Sequence, residues 1–119
     1  MYKIKCGGIY IITHQPTGQY YIGCSVDILS NRWGGHYTNL VMNKHHSPQL
    51  QQLFNNSKIE DFTFQILERI SKTYIKEYSN LKGKELDKVY KRVLLMKEKE
   101  WMSKYSINLS LNKNNKHFK

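Results

Sequence analysis

Hydrophobic positions fall into short runs in the first part of the chain and into helical stripes later. Residues 8–13, Gly-Ile-Tyr-Ile-Ile-Thr, form a β-branched and aromatic run that predicts a strand. His14-Gln-Pro-Thr-Gly18 carries Pro and Gly in turn positions, and residues 19–23, Gln-Tyr-Tyr-Ile-Gly, predict a second strand. A four-residue loop at 14–17 pairs positions whose numbers sum to 31 and sets Tyr10 opposite Tyr21 on one face. Ser25 can cap a helix beginning at Val26, with Asp27 in its first turn. Arg32 and His36 lie four apart and share a face of that helix. Gly34-Gly35 costs a helix interior about 2 kcal/mol relative to two alanines, so the helix either frays there or lets backbone approach closely.

Ser47-Pro48 predicts an N-cap followed by Pro at the first helical position. Leu50, Leu53 and Phe54 make that helix amphipathic until Asn55-Asn56 stops it. Phe62-Thr-Phe-Gln-Ile alternates as a third strand, with Phe62, Phe64 and Ile66 inward. A short helix around Tyr74–Tyr78 and a loop to Gly83 precede a long helix from about Lys84 to Tyr105. Leu86, Val89, Tyr90 and Val93 stripe its first half. In the second half Leu94, Leu95, Trp101, Met102 and Tyr105 define a rotated face centred on a carboxylate, Glu98, while Glu100 points away. These elements predict an α+β domain over residues 1–110, with residues 111–119 as a basic, disordered tail.

Composition narrows the class. A chain of 119 residues allows one domain, and 39% apolar content with 13% aromatics is too rich for a disordered basic segment. No stretch reads as a membrane span or a secretory signal, so an intracellular protein with no membrane partner is expected, cytoplasmic first, with organellar, nuclear or viral settings left open. Cys6 and Cys24 cannot build a disulfide framework or a four-cysteine zinc site, and free thiols are expected. The net charge of +10 favours a polyanionic partner, although 16 of the 19 cations are Lys, a bias that an AT-rich genome also produces. The scarcity of arginine makes Arg32, Arg69 and Arg92 the more informative cations.

The residue types permit phosphodiester chemistry. Glu98 amid apolar neighbours is costly unless a cation pairs with it, and a Mg²⁺ or Mn²⁺ taking one carboxylate, waters and a substrate phosphate meets that need. Arg32 offers a planar fork for phosphate oxygens, and paired hairpin tyrosines can orient water and substrate. Taken singly, each has an ordinary structural role: hairpin aromatics pack, a helix arginine is solvated, and adjacent histidines mark a surface loop.

The order overrides those single readings. Gly8-Ile9-Tyr10, a ten-residue gap, Tyr21-Ile22-Gly23, then Arg32, His36, Glu98 three residues before Trp101, and Asn108-Leu-Ser together resemble the GIY-YIG nuclease superfamily, from Gly8 to about Ser110. The resemblance implies a three-stranded antiparallel sheet flanked by helices, in a divalent-metal-dependent DNA endonuclease that leaves 5′-phosphate and 3′-hydroxyl ends. It assigns Tyr10 as proton acceptor from the attacking water, Tyr21 and His36 as partners around the phosphate, and Glu98 as metal ligand. Arg32 also binds substrate, Asn108 fixes an active-site loop, and Gly8 and Gly23 admit close approach of backbone or DNA. His45 and His46 both stand where related homing enzymes place a further histidine. No cofactor beyond Mg²⁺ or Mn²⁺ is implied. A homing enzyme, a structure-specific or single-strand nuclease of repair or recombination, and a non-catalytic nucleic-acid-binding module are the competing readings, and duplex, branched and single-stranded DNA all remain candidate substrates. No zinc finger or helix-turn-helix pattern is visible.

Overall fold

The computed structural model describes residues 6–27 and 32–112, with Arg32 and Tyr78 described as backbone. Its sheet contains β1 (Gly7–His14), β2 (Tyr20–Ser25) and β3 (Phe62–Ile70), antiparallel in the order β2-β1-β3. Central β1 is covered on both faces, which is why Ile9, Tyr10, Ile11 and Ile12 run together without a polar break. Helices α1 (Arg32–Val41) and α2 (Pro48–Asn55) cover one face, and α3 (Lys72–Ser79) and α4 (Gly83–Met102) cover the other. The α+β sheet-and-helix architecture is therefore the expected one.

The hairpin register differs from the sequence expectation. Gly18 adopts φ +77°, and its N–H donates to the His14 carbonyl while His14 N–H donates to the Gln19 carbonyl. The loop is thus 15–18, which places Tyr10 opposite Gly23 and Tyr21 opposite Ile12. The partner of each tyrosine moves by two residues, so both stay on one face, diagonal rather than opposed. On the other side of β1, partner numbering jumps from Ile9↔Glu68 to Tyr10↔Ile66, a bulge at Leu67 beside the tyrosine.

Two apolar layers result. Tyr10, Ile12 and Tyr21 pack with Leu40 of α1, Leu50 of α2 and Phe62 of β3. Ile9, Ile11, Tyr20 and Ile22 pack on the opposite face with Tyr90 and Leu94 of α4. Tyr90 also joins strand ends, donating to the Ile70 carbonyl at 2.6 Å and accepting from Gly7 N–H at 2.8 Å. Its phenol pKa is raised, with desolvation the largest cause and the Gly7 bond opposing it.

Several boundaries move. Ser25 ends β2, and its hydroxyl accepts from Asp27 N–H; Val26 and Asp27 are not helical, so the expected helix start at Val26 is corrected. Residues 28–31 of that expected helix lie outside the described residues, and α1 runs through Gly34-Gly35 without a break. The Ser47-Pro48 start of α2 is as expected: Ser47 Oγ accepts from Leu50 N–H. Helix α4 ends at Met102 rather than Tyr105; its buried positions Leu86, Tyr90, Leu94 and Glu98 recur every four residues and so wind slowly around the helix, with Trp101 and Met102 packed beside them as expected and Leu95 exposed. The chain then returns to the free edge of β2. Leu111 N–H donates to the Tyr20 carbonyl, and the Asn112 amide accepts from Ile22 N–H at 2.9 Å and donates to its carbonyl at 2.6 Å. Leu111 and Asn112, on the tail side of the expected boundary, therefore belong to the fold, whereas residues 113–119 lie outside the described residues.

Candidate active site

Tyr10 is 1% exposed, and its ring lies over the backbone of Gly23, the residue opposite it in the hairpin. A Cβ on Gly23 would stand 2.5 Å from Tyr10 Cζ, so the glycine of the second tripeptide makes room for the tyrosine of the first. Phe64 of β3 stacks on the same ring at 5.1 Å between centroids. Tyr10 is thus held between its neighbouring strands with its hydroxyl directed toward the helices.

That hydroxyl enters a histidine cluster. His36, one turn into α1 and 2% exposed, places Nε2 at 2.6 Å from Tyr10 Oη. His36 Nδ1 is 2.7 Å from Nε2 of His45, which is itself buried. The His45 backbone N–H donates to Gln51 Oε1, and Gln51 Nε2 donates to the Leu40 carbonyl, so one side chain ties the end of α1 to the loop and to α2. His46 lies beside His45 but is exposed, and its Nε2 lies 2.5 Å from Tyr21 Oη. The rings of His45 and His46 stack at 4.5 Å, and Tyr21 meets His36, His45 and His46 edge-on. The two adjacent histidines thus take separate tyrosines, His45 through His36 and His46 directly.

Glu98 lies across the sheet from this cluster. It is buried on α4 and accepts hydrogen bonds from the thiol and backbone N–H of Cys24, the residue after Gly23. Successive strand residues face opposite ways, so Gly23 carries Tyr10 on one face while Cys24 carries Glu98 on the other. Burial pushes the Glu98 carboxyl above its ordinary range, and the two Cys24 bonds only partly offset that. Trp101, one turn on, donates from its indole N–H to Glu68 Oε1 at 2.9 Å and docks this end of α4 on β3. Cys6 and Cys24 form no disulfide.

Tyr10, Tyr21, His36, His45 and His46 are therefore brought together, and Glu98 is placed behind the same strand. The backbone of Arg32 opens α1, one turn before His36; its side chain lies outside the described residues. Gly8 pairs with Ser25 and Arg69 at the far end of β1. Asn108 stands apart from the tyrosines: it is exposed in the short 3-10 turn Ile107–Leu109 and borders a surface cavity of about 430 Å³ with Gln19, Gln49 and Gln52. Asn112, which no motif in the sequence marks, fixes a strand of the site through both polar groups of Ile22. A Leu-Asn pair shortly after the last helix is the only local signal it leaves.

Among the described residues, no group of three or more His, Cys, Asp or Glu side chains is disposed to hold a metal ion. A magnesium-type ion does not need one. It takes one or two carboxylates and keeps its waters, and Glu98, buried with no cation paired to it among the described residues, has the chemistry of such a single ligand. No described helix is long and apolar enough to cross a membrane.

Comparison with known proteins identifies the fold and the family. A family model described as the GIY-YIG catalytic domain matches residues 6–108. Two solved structures share the fold. One, the catalytic domain of intron endonuclease I-TevI carrying a glutamate-to-alanine substitution, matches at TM-score 0.62 and 25% identity, over 83% of this chain and 82% of that one. The other, described as the catalytic domain of homing endonuclease I-TevI, also matches at TM-score 0.62, with 24% identity, over 90% of this chain and 99% of that one. Among curated proteins none matches significantly.

Proposed function

The chain belongs to the GIY-YIG catalytic-domain family, and from that premise, which makes it a phosphodiester-cleaving endonuclease, we propose a metal-dependent, homing-type DNA endonuclease with Tyr10 as its proton acceptor. The observation that carries the reading is the burial of Tyr10 over Gly23 with its hydroxyl 2.6 Å from His36, an arrangement costly to build for packing alone.

In the proposed reaction, water oxygen attacks phosphorus as the bond to the 3′ oxygen breaks, leaving 5′-phosphate and 3′-hydroxyl ends. Tyr10 first gives up its phenol proton to solvent; the proton of the attacking water then passes to the phenolate oxygen, and the leaving 3′ oxygen takes its proton from solvent. A free tyrosine has a pKa near 10, so Tyr10 can act as a base at neutral pH only where its phenolate is stabilised. Tyr21 and His46, at the rim of the cluster where His46 is exposed, orient the phosphate group as it enters. Arg32, at the head of α1, supplies a fork for its oxygens. Glu98 would hold Mg²⁺ or Mn²⁺, which when bound neutralises charge on the phosphoryl group. Asn112 keeps the edge strand bearing Tyr21 and Gly23 in place. The lysine-rich surface supplies the non-specific hold on DNA.

The test is a parallel digestion of supercoiled plasmid, branched junction and single-stranded DNA, each with Mg²⁺, Mn²⁺ or EDTA. Cutting of duplex plasmid with metal and none with EDTA is expected. Binding without cutting under every condition would reduce the chain to a docking module, and preference for the branched or single-stranded substrate would replace the homing reading.

A further inference from the structure

The histidine cluster has a direction. We propose that the backbone amide of Ser47, through His45 and His36, forces a proton donor onto the Tyr10 oxygen, so that His36 stabilises the Tyr10 phenolate instead of collecting its proton, and that His45 is the positioning residue that sets this direction. The inference deepens the nuclease reading and rests on it for its catalytic consequence; the hydrogen-bond order itself rests on geometry alone.

One donor in the cluster cannot reverse. Ser47 N–H donates to His45 Nδ1 at 3.0 Å. Ser47 is the N-cap of α2, with extended backbone (φ −97°, ψ 107°), so its N–H takes no part in the helix ladder and is available to the imidazole. Its hydroxyl is engaged separately, accepting from Leu50 N–H and donating to the Leu111 carbonyl at 2.7 Å. An imidazole nitrogen that accepts carries no proton, and a neutral imidazole carries one. His45 therefore carries its proton on Nε2 and donates to His36 Nδ1 at 2.7 Å. His36 Nδ1 is then also an acceptor, its proton is on Nε2, and that N–H donates to Tyr10 Oη at 2.6 Å.

The reverse order fails at one identifiable atom. If Tyr10 donated to His36 Nε2, His36 would donate from Nδ1 to His45 Nε2, and both nitrogens of His45 would have to accept. That requires an imidazolate, an anion in a buried site and a base far too strong for neutral water. The same logic holds both buried rings neutral, because protonating either one places two hydrogens along a single bond. Tyr10 thus keeps an N–H donor aimed at its oxygen whether it is phenol or phenolate. A hydrogen bond to a charged oxygen is stronger than one to a neutral oxygen, so the chain favours the form that accepts a proton from water. Gln51, bonding the His45 backbone N–H, and Leu40, accepting from Gln51, hold the loop at the position this requires.

The test reads the tautomers directly. In long-range ¹H–¹⁵N spectra of the full chain labelled at histidine, without DNA, His36 and His45 should both be Nε2–H with unprotonated Nδ1. A His36 protonated at Nδ1 overturns the proposal. His45→Gln keeps an N–H donor toward His36 and should retain the His36 tautomer and cutting within a few fold. His45→Leu keeps the volume and removes the donor; it should mix the His36 tautomers and lower kcat about ten- to a hundredfold, the worth of one hydrogen bond to a charged oxygen, with KM for DNA unchanged. An unaltered His36 tautomer and kcat in His45→Leu would also overturn it. A chain with the expected tautomers that cuts no DNA would refute the nuclease reading while leaving the direction intact, and a cutting chain with His36 Nδ1–H would refute the direction alone.

Discussion

Gly23→Ala is the most informative single methyl that can be added to this fold. The new Cβ would stand 2.5 Å from Tyr10 Cζ and 3.1 Å from Cε1, well inside an ordinary carbon–carbon contact. Tyr10 has nowhere to go: it is 1% exposed, stacked on Phe64 and bonded to His36. Overpacking costs about 1–3 kcal/mol, and stranding the His36 nitrogen by displacing the phenol adds about 1–3 kcal/mol, for a total of about 2–6 kcal/mol. At roughly 4 °C of Tm per kcal/mol for a domain of this size, melting should fall by roughly 8–24 °C. The assay is urea denaturation followed by circular dichroism, in a double-mutant cycle with Tyr10→Leu, which removes the ring. In that background Gly23→Ala should cost under about 1 kcal/mol, giving a coupling of about 1 kcal/mol or more. Equal costs in both backgrounds would show that the glycine serves something other than the tyrosine, and the packing argument would fail.

Three further outcomes follow from the same geometry. Burial raises the Glu98 pKa above its unfolded value, so its stability contribution is full below the ordinary glutamate range and is lost as pH rises through the raised value. In EDTA, Glu98→Gln should therefore melt higher than the parent at neutral pH, with the difference closing in acid, while cutting in Mg²⁺ is lost; an unchanged Tm at neutral pH contradicts this. Asn112→Ala should lower stability by about 1–2 kcal/mol by unpairing both polar groups of Ile22, whereas Asn108→Ala, exposed on its turn, should fall within about 0.5 kcal/mol by the same denaturation assay. DNA affinity measured by fluorescence anisotropy between low and physiological salt should fall linearly on a log–log plot, as expected for lysine-dominated phosphate contact. A flat salt response would remove the role given to the +10 charge.

What could be read from the sequence depended on whether a feature was local. The two tripeptides and the Ser47-Pro48 cap identify their elements because strand composition and capping chemistry act within a few residues. The register failed on one backbone angle: the positive φ of Gly18 moved the loop to 15–18 and paired Tyr10 with glycine instead of tyrosine. Glu98 is legible as the central carboxylate of a stripe that winds around α4, and only Leu95 falls off that face, because the four-residue repeat carries the buried side past Leu94 and away from it. His45 and His46 could not be separated in sequence. Only the loop conformation before the α2 cap gives one ring to His36 and the other, stacked on it, to Tyr21. Asn108 and Asn112 stand four apart in an asparagine-rich stretch, and it is the open edge of β2, a tertiary feature, that recruits the second.

The central claim, that Tyr10 accepts the proton in a metal-dependent cut, is tested most directly by single-turnover cleavage of plasmid by the parent and Tyr10→Phe in Mg²⁺. The substitution removes one oxygen and leaves the ring over Gly23, so circular dichroism should show the same fold. A rate lowered about a hundred- to ten-thousandfold, with DNA affinity unchanged, is the expected result for loss of a general base. Cleavage by Tyr10→Phe at the parent rate would contradict it.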